Sequence, residues 1–247
     1  MSIDCKWNWH NSGHQVWYDD TTFETLENTY PLQFYDDFLG SAGGSVFGAT
    51  QEWQILDVGA NATATVVAVN NSNGQFLLHI HVDNEAEDVV LYQPSNRTFD
   101  VGNGLIFEAK IDMAVAVEAG VRGVAGMSGP HNLDKDLTVN SAWFSWAGSQ
   151  VILCETDDAT NNNDAVLTGV TAVAGIPNIY RIDFTTLADV KFFIDGVRVA
   201  SGTTFDMSNL TVGGTRIMQP YFSLDKAAGA VVGDMNIDYV KILSNRS

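Results

Sequence analysis

The sequence predicts an all-β protein, an antiparallel two-sheet jelly-roll sandwich over residues 34–247 with an irregular N-terminal arm over residues 1–33. Three observations lead there. From Tyr180 to Thr185, Tyr180, Ile182 and Phe184 alternate with Arg181, Asp183 and Thr185, the period of two that gives a strand one dry and one wet face. Asp195-Gly196 then separates two short apolar runs, 190–194 and 197–200, and this pair suits the positive φ angles of a tight hairpin turn. Finally, glycine (22) far outnumbers proline (5), and short runs rich in Val, Ile and Phe recur between Asn, Asp, Ser and Gly turns.

The arm comes first. Three of the six tryptophans (Trp7, Trp9, Trp17) sit here with Tyr18, His10 and His14, and no periodic pattern is sustained. Thr22, followed by Glu24 and Glu27, suits one or two helical turns over 21–29, which Pro31 ends. So much aromatic surface either folds back on the sandwich or docks against another chain, which makes Trp7, Trp9, Trp17 and Tyr18 the candidate partner-binding residues. The sandwich begins at 32–38, and 40–48 is a glycine-rich loop. Strands are predicted at 53–58, 63–69, 75–82, 89–92, 105–116, 121–127, 142–146, 150–155 and 165–167. Further strands follow in the central hairpins (180–184, 190–194, 197–200) and at 218–224 and 235–243. Gly59-Ala60-Asn61, the run from Asn70 to Gly74, Pro94-Ser95-Asn96, Gly102-Asn103-Gly104, Ser128-Gly129-Pro130 and Ala147-Gly148 supply turns between them. No linker or composition break divides the array, so it reads as one domain behind an arm.

Composition narrows the function classes. A chain of 247 residues with 45% hydrophobic content can bury a core without a metal or disulfide staple. The net charge of −18 argues against a nucleic-acid phosphate backbone as partner and suits a soluble chain or one docking on a basic surface. No apolar run reaches the length of a membrane span, and the N-terminus lacks a basic end followed by an apolar stretch, so neither membrane insertion nor secretion is expected. Cys5 and Cys154 lie far apart without metal-ligand spacing, and two free thiols are the reading for a chain made in the cytosol.

Several constellations could carry chemistry. His79 and His81 share a strand face, with Glu85 nearby, a partial match to a cupin metal motif whose second half is missing; two histidines on a wet strand face is the reading. The loop from Asp157 to Asp164 concentrates oxygen ligands of the kind Ca²⁺ takes, but lacks the EF-hand frame, and such runs are also ordinary turn formers. No metal or other cofactor is assigned. Glycosidase chemistry needs two carboxylates across a cleft. The laminarinase-like Glu-x-Asp-x-x-Glu strand is not reproduced by Glu108 and Asp112, nor by Glu155-Thr156-Asp157-Asp158, nor by Glu85-Ala86-Glu87-Asp88, so no catalytic residue is assigned and the chain is expected not to be an enzyme. Trp143, Phe144, Trp146, Tyr221 and Phe222 could stack on sugar rings; core burial is the reading, with Phe144 and Trp146 on one face and Trp143 on the other.

Four segments together resemble a known family. They are Phe34 to Gly40, Ser141 to Gly148 running on through Cys154 to Gly169, Leu187 to Ser201 with Thr204 to Asn209, and Pro220-Tyr221-Phe222 with Ile237 to Lys241. The pattern is similar to virion structural proteins of tailed bacteriophages with a concanavalin A-like lectin/glucanase sandwich, and it covers roughly residues 34–243. The resemblance implies a non-enzymatic capsid decoration or cement protein on the capsid exterior, made in the host cytoplasm. Its implied partner is the major capsid protein, with the aromatic arm lying across neighbouring subunits and the chain forming a homo-oligomer. The alternative is a carbohydrate-binding, lectin-like adhesion module recognising host-surface glycans, which calls for exposed aromatics at the loop ends and a bound Ca²⁺. A degenerate glycosidase is a third reading.

Overall fold

In a computed structural model the described residues are 5–9, 15–19, 25–26, 32–38, 53–59, 67–69, 74–93, 99–115 and 117–245; for 5–9, 15–19, 25–26, 32–33 and 67–69 the description is of backbone alone. The strands in chain order are β1 (Cys5–Trp9), β2 (Gln15–Asp19), β3 (Thr25–Leu26), β4 (Leu32–Asp36), β5 (Gln54–Gly59), β6 (Val67–Val69) and β7 (Gln75–Ile80). Then come β8 (Glu87–Tyr92), β9 (Phe99–Asp100), β10 (Ile106–Val115), β11 (Val121–Ser128), β12 (Ser141–Ala147) and β13 (Val151–Asp157). The last are β14 (Asn162–Thr171), β15 (Asn178–Asp183), β16 (Lys191–Ile194), β17 (Val197–Val199), β18 (Ile217–Lys226) and β19 (Gly233–Ser244).

The arm is more regular than its sequence suggests. Strands β1, β2 and β3 form an antiparallel three-stranded sheet, with Trp7 opposite Trp17 and Lys6 opposite Tyr18. Thr25–Leu26 is therefore strand, which corrects the helical turn expected over 21–29. The side chains of Trp7, Trp9, Trp17 and Tyr18 lie outside the described residues, as do the loop at 40–48 and the 63–66 part of the expected 63–69 strand.

Two eight-stranded antiparallel sheets make the sandwich. The first runs β17-β16-β15-β10-β19-β7-β6, with β4 added to β19; the second runs β14-β13-β12-β11-β18-β8-β5, with β9 added to β18. The long central strands explain these additions. Along one edge, β18 pairs with β9 at Ile217–Met218 and with β8 from Tyr221 onward. Pro220, with no N–H to donate, falls in the interval between those two ladders, which is why a proline sits in a central strand.

The expected hairpin at Asp195-Gly196 is present, with φ of 49° and 75° at the two positions as a type I′ turn demands. The Asp195 carboxylate accepts from Ile179 N and Asn178 Nδ2, both at 2.7 Å, so the turn is also tied to the neighbouring strand β15.

Alternation sends Phe144, Trp146, Phe222 and Cys154 of the second sheet inward against Tyr180, Phe192 and Phe107 of the first. Phe144 meets Phe192 and Tyr180 edge-on at 5.2 and 5.0 Å between ring centres, and Trp146 meets Tyr180 at 5.4 Å. At the other end Trp53 packs on Phe222 and Phe38, and its Nε1 donates to Asp36 at 2.7 Å. That bond explains the Phe34-Tyr35-Asp36-Asp37-Phe38 run: the apolar residues reach inward and the aspartate satisfies a buried indole. Cys154 is a free thiol in this core, and burial pushes it well above the ordinary thiol range.

Glycine appears inside β11 because two strands approach closely there. A Cβ at Gly126 would lie 2.3 Å from the Ala142 carbonyl oxygen and 2.6 Å from Trp143 Cα, whereas one at Gly202 would meet nothing within 4 Å. Gly126→Ala is expected to lose about 1–3 kcal/mol in urea unfolding. Gly202→Ala should stay within about 0.5 kcal/mol of the parent.

Candidate functional site

The outer face of the second sheet has the features of a site. Facing away from the core are Ser128, Gly126, Val124 and Arg122 of β11, Gln219, Tyr221, Ser223 and Asp225 of β18, Trp143 and Ser145 of β12, Glu155 of β13 and Asp88, Val90 and Tyr92 of β8. Val90, Val124, Trp143 and Tyr221 form their own apolar cluster here, with Leu56 and Tyr92 packed against it. Trp143 and Tyr221 are each only 1% exposed although neither points between the sheets. The sequence reading placed Trp143 on the face opposite Phe144; it did not foresee that this face would also be dry.

The cover is the segment joining β11 to β12. His131 stacks on Tyr92 and Tyr221, and its Nδ1 lies 2.7 Å from the Tyr221 hydroxyl. Lys135, in a short 3-10 turn at Lys135–Leu137, is buried over Tyr221 and donates to Asp88 at 2.7 Å. Ser223 Oγ donates to the other Asp88 oxygen at 2.8 Å. Arg122 reaches Asp136 of the cover at 2.9 Å and Glu155 of the sheet at 3.4 Å. Burial, with Lys135 adding to it, holds the His131 ring below its ordinary pKa, so it sits neutral between the tyrosines.

Carboxylates here titrate abnormally. Burial pushes Asp225 up to about 6, with Lys135 acting against the rise and Asp88 adding to it. Burial also raises Glu155, against the pull of Arg122, and raises Asp157, where Asp158 and Asp164 add to it. Glu155 and Asp157 share one face of β13.

Two cavities open on this face. One, of about 450 Å³, lies beside Asp88, Asp134, Asp225 and Leu133. The other, of about 510 Å³, lies where β11 and β18 reach the opposite end of the sheet, and its ten lining residues include no charged side chain. Ser128 and Gln219 are register partners on its floor, both buried. Gln219 Nε2 donates to Gly129 O at 2.9 Å, while Gln219 Oε1 and Ser128 Oγ are buried with no hydrogen-bond partner among the described residues.

The sites named from sequence fare differently. His79 and His81 do share a face, their ring centres 4.8 Å apart, but His79 Nδ1 lies 2.5 Å from Asp234 and the His81 backbone N–H is bonded to Glu87. The expected 157–164 loop is shorter, because Asp157 ends β13 and Asn162 begins β14, and Asp158 between them is consumed by structure. Burial alone would raise its carboxyl, yet donors from Asn161, Thr160 and Asn209 outweigh it and hold the group below its ordinary value. Among the described residues no group of three or more His, Cys, Asp or Glu is placed to hold a metal. Glu108 of β10 lies on the outer face of the first sheet, bonded by Tyr239 Oη at 3.1 Å, away from the covered face. Among the described residues, the exposed apolar side chains at the loops of the second sheet include the aliphatic Leu133, Leu137, Val139 and Val212, and none of the aromatics a lectin-like reading called for.

The chain matches no protein-family model, and no curated protein is similar to it at a significant level. Solved structures do resemble it. A laminarinase from Flavobacterium sp. UMI-01 superposes with a TM-score of 0.58 at 14% identity, covering 85% of this chain and 99% of the other. A β-1,3-glucanase from Mycobacterium marinum gives 0.53 at 15% identity over 88% and 100%. The metal-free carbohydrate recognition domain of Emp46p gives 0.56 at 9% identity over 86% and 96%. The fold is that of the concanavalin A-like lectins and glucanases, as expected. Nothing in these likenesses points to a virion protein or to a capsid role. They also correct the expectation that the chain is not an enzyme: glucanases and a laminarinase stand among the structures it resembles, so the scaffold is one that glycoside hydrolases use.

The Asp225 shift has a definite sign. Between about pH 4 and 6 the folded chain keeps a proton that the unfolded chain has released, so this group's contribution to stability falls as pH rises through that window. Asp225→Asn should therefore be more stable than the parent at pH 7, by about 1–2 kcal/mol, with the difference closing below about pH 4. Urea unfolding of both proteins at pH 4, 5.5 and 7 checks it.

Proposed function

We propose that this chain binds carbohydrate through the outer face of its second sheet. The observation that carries the reading is the uncharged cavity at the β11–β18 end of that face, in a protein of net charge −18. Its volume is in the range of small-molecule sites, and its lining joins apolar walls to a few fixed polar groups. A sugar ring offers the same combination, with hydroxyls at its edge and C–H groups on its faces. The likeness to a carbohydrate recognition domain and to glucanases supports the reading at the level of fold.

Gly129 gives the test. A Cβ at this position would fall 2.0 Å from Asn140 Oδ1, so Gly129→Ala must displace an amide that lines the cavity. Binding of the parent to a panel of immobilised oligosaccharides is expected, with at least a tenfold loss in Gly129→Ala. A parent that binds no member of the panel would sink the proposal.

A second reading, glycoside hydrolysis, has one observation in its favour. Glu155 and Asp157 are both pushed up by burial and share a face of β13, two residues apart, a separation of about 7 Å along a strand. Two raised carboxyls on one face are the kind of pair in which one can protonate a leaving group and the other can activate water. If it acts so, reducing ends should be released from a β-1,3-glucan and Glu155→Gln should abolish at least 99% of the rate. No release by the parent removes this reading and leaves the binding proposal standing.

A further inference from the structure

We infer that the outer face of the first sheet is the docking surface for the chain's own N-terminal arm, residues 1–31, which seats its tryptophans there as a third layer. The sandwich by itself does not account for how dry this face is. Ile106 and Leu243 point away from the inter-sheet core and form a small apolar pair of their own, 1% and 2% exposed. Glu108, Arg181 and Asp183 lie on the same face and are buried too. The second sheet is not what hides them, because it packs on Phe107, Tyr180, Ile182 and Val240 of the opposite face. By contrast Leu167, an outward aliphatic on the edge strand β14, is largely exposed. The burial exists within a single chain, so its source is another segment of that chain.

Connectivity selects the arm. Segment 94–98 joins two strands of the second sheet, 60–66 and 70–73 flank β6 at the far edge of the first, and the segment after β4 leads to β5 in the second. The arm enters beside the dry face. Strand β4 pairs Leu32 with Ser244 and Gln33 with Leu243, and five residues, 27–31, separate Leu26 of β3 from Leu32. A tether of that length reaches about 20 Å, or about four strand spacings, enough to lie over β19, β10 and β15.

The arm has a matching face. Its register places Trp7, Trp9 and Trp17 with Cys5 and Leu26 on one side of a three-stranded sheet too small to bury them by itself. Charge matches as well. Lys110, Arg181, Lys191, Arg198 and Lys241, five of the chain's twelve Lys and Arg residues, lie on the outer face of the first sheet, with Glu108 and Asp183 between them. Residues 1–31 hold five carboxylates (Asp4, Asp19, Asp20, Glu24, Glu27) and one lysine, Lys6. Tyr35 of β4, more than half exposed, marks the rim of the covered area.

Cys5 is a built-in probe, because it shares the tryptophan face while Cys154 is buried in the core. The experiment is the rate at which DTNB modifies Cys5 in the full chain, at high and low protein concentration. It is repeated on Trp7→Ser, Leu243→Ser and Lys241→Glu, with the melting temperature of each followed. The expected parent rate is at least tenfold below that of the urea-unfolded chain and independent of protein concentration. Trp7→Ser and Leu243→Ser should each raise it at least tenfold. Lys241→Glu changes a partly exposed side chain and keeps the test decisive if Leu243→Ser does not fold; a rise of at least threefold is expected there. A parent Cys5 that reacts as fast as in the unfolded chain overturns the inference. Protection lost on dilution overturns it in favour of a second copy's arm, and protection that Leu243→Ser and Lys241→Glu both leave intact overturns it by placing the arm elsewhere.

Discussion

The central strands of the second sheet, β12, β11, β18 and β8, are buried on both faces, and most of the architecture follows from that constraint. In β12, Phe144 and Trp146 enter the inter-sheet core while Trp143 and Ser145, pointing the other way, are equally dry. A sheet of this kind cannot stop at two layers: its outer apolar cluster must be covered, and a cover over a sheet must bring partners for any polar group it buries. The segment between β11 and β12 does so. Lys135 answers Asp88, His131 answers the Tyr221 hydroxyl, and Asp136 reaches Arg122 at the rim.

Two buried lysines play different parts around this cover. Lys226 is wholly enclosed, its ammonium donating to the carbonyls of His81 and Asp83, with Glu87 at 3.5 Å, so it acts as a fixed cation that gathers the β7–β8 turn onto the end of β18. Lys135 instead joins a loop to a sheet. Desolvating such pairs offsets much of their Coulomb attraction, so neither adds much net stability over an apolar replacement. What each supplies is a unique register: a slipped cover would strand Lys135 without Asp88, a far larger penalty than the pair's net gain.

Much of the fold was legible because its signal is local. Alternation in Tyr180–Phe184 and in Trp143–Trp146, and the Asp195-Gly196 turn, depend on a few neighbouring residues, and the side-chain directions they predict hold, although the expected wet face of β15 is dry, with Arg181 and Asp183 6% and 1% exposed. The arm was misread because Thr22 with two glutamates imitates a helix start, and strand pairing between 15–19 and 25–26 overrides that local preference. The site was less legible for the same reason in reverse. Ser128, Gln219, Asp88, Lys135 and Asp225 are brought together only by the order β11-β18-β8 and by a loop folded over it, and no spacing in the chain encodes that order. The one available hint was β18 itself, where Gln219, Tyr221, Ser223 and Asp225 put a polar series on a strand whose other face is core.

That series divides the outer face into two ends with different electrostatics. At Asp225 a carboxyl sits among Lys135, Asp88 and Arg122, and its protonation responds to mild acid. Three alternate positions back, at Gln219, the charges are gone and only neutral groups line the cavity. The charged end fixes the cover, and the cover's first residues, Gly129 and Pro130, are wall of the neutral cavity, with His131 stacked directly behind them. The cavity is thus held open by contacts made elsewhere, so a ligand entering it needs to order little of the protein. Low reorganisation matters most for small polar ligands, whose few contacts leave little free energy to spend on shaping their own site.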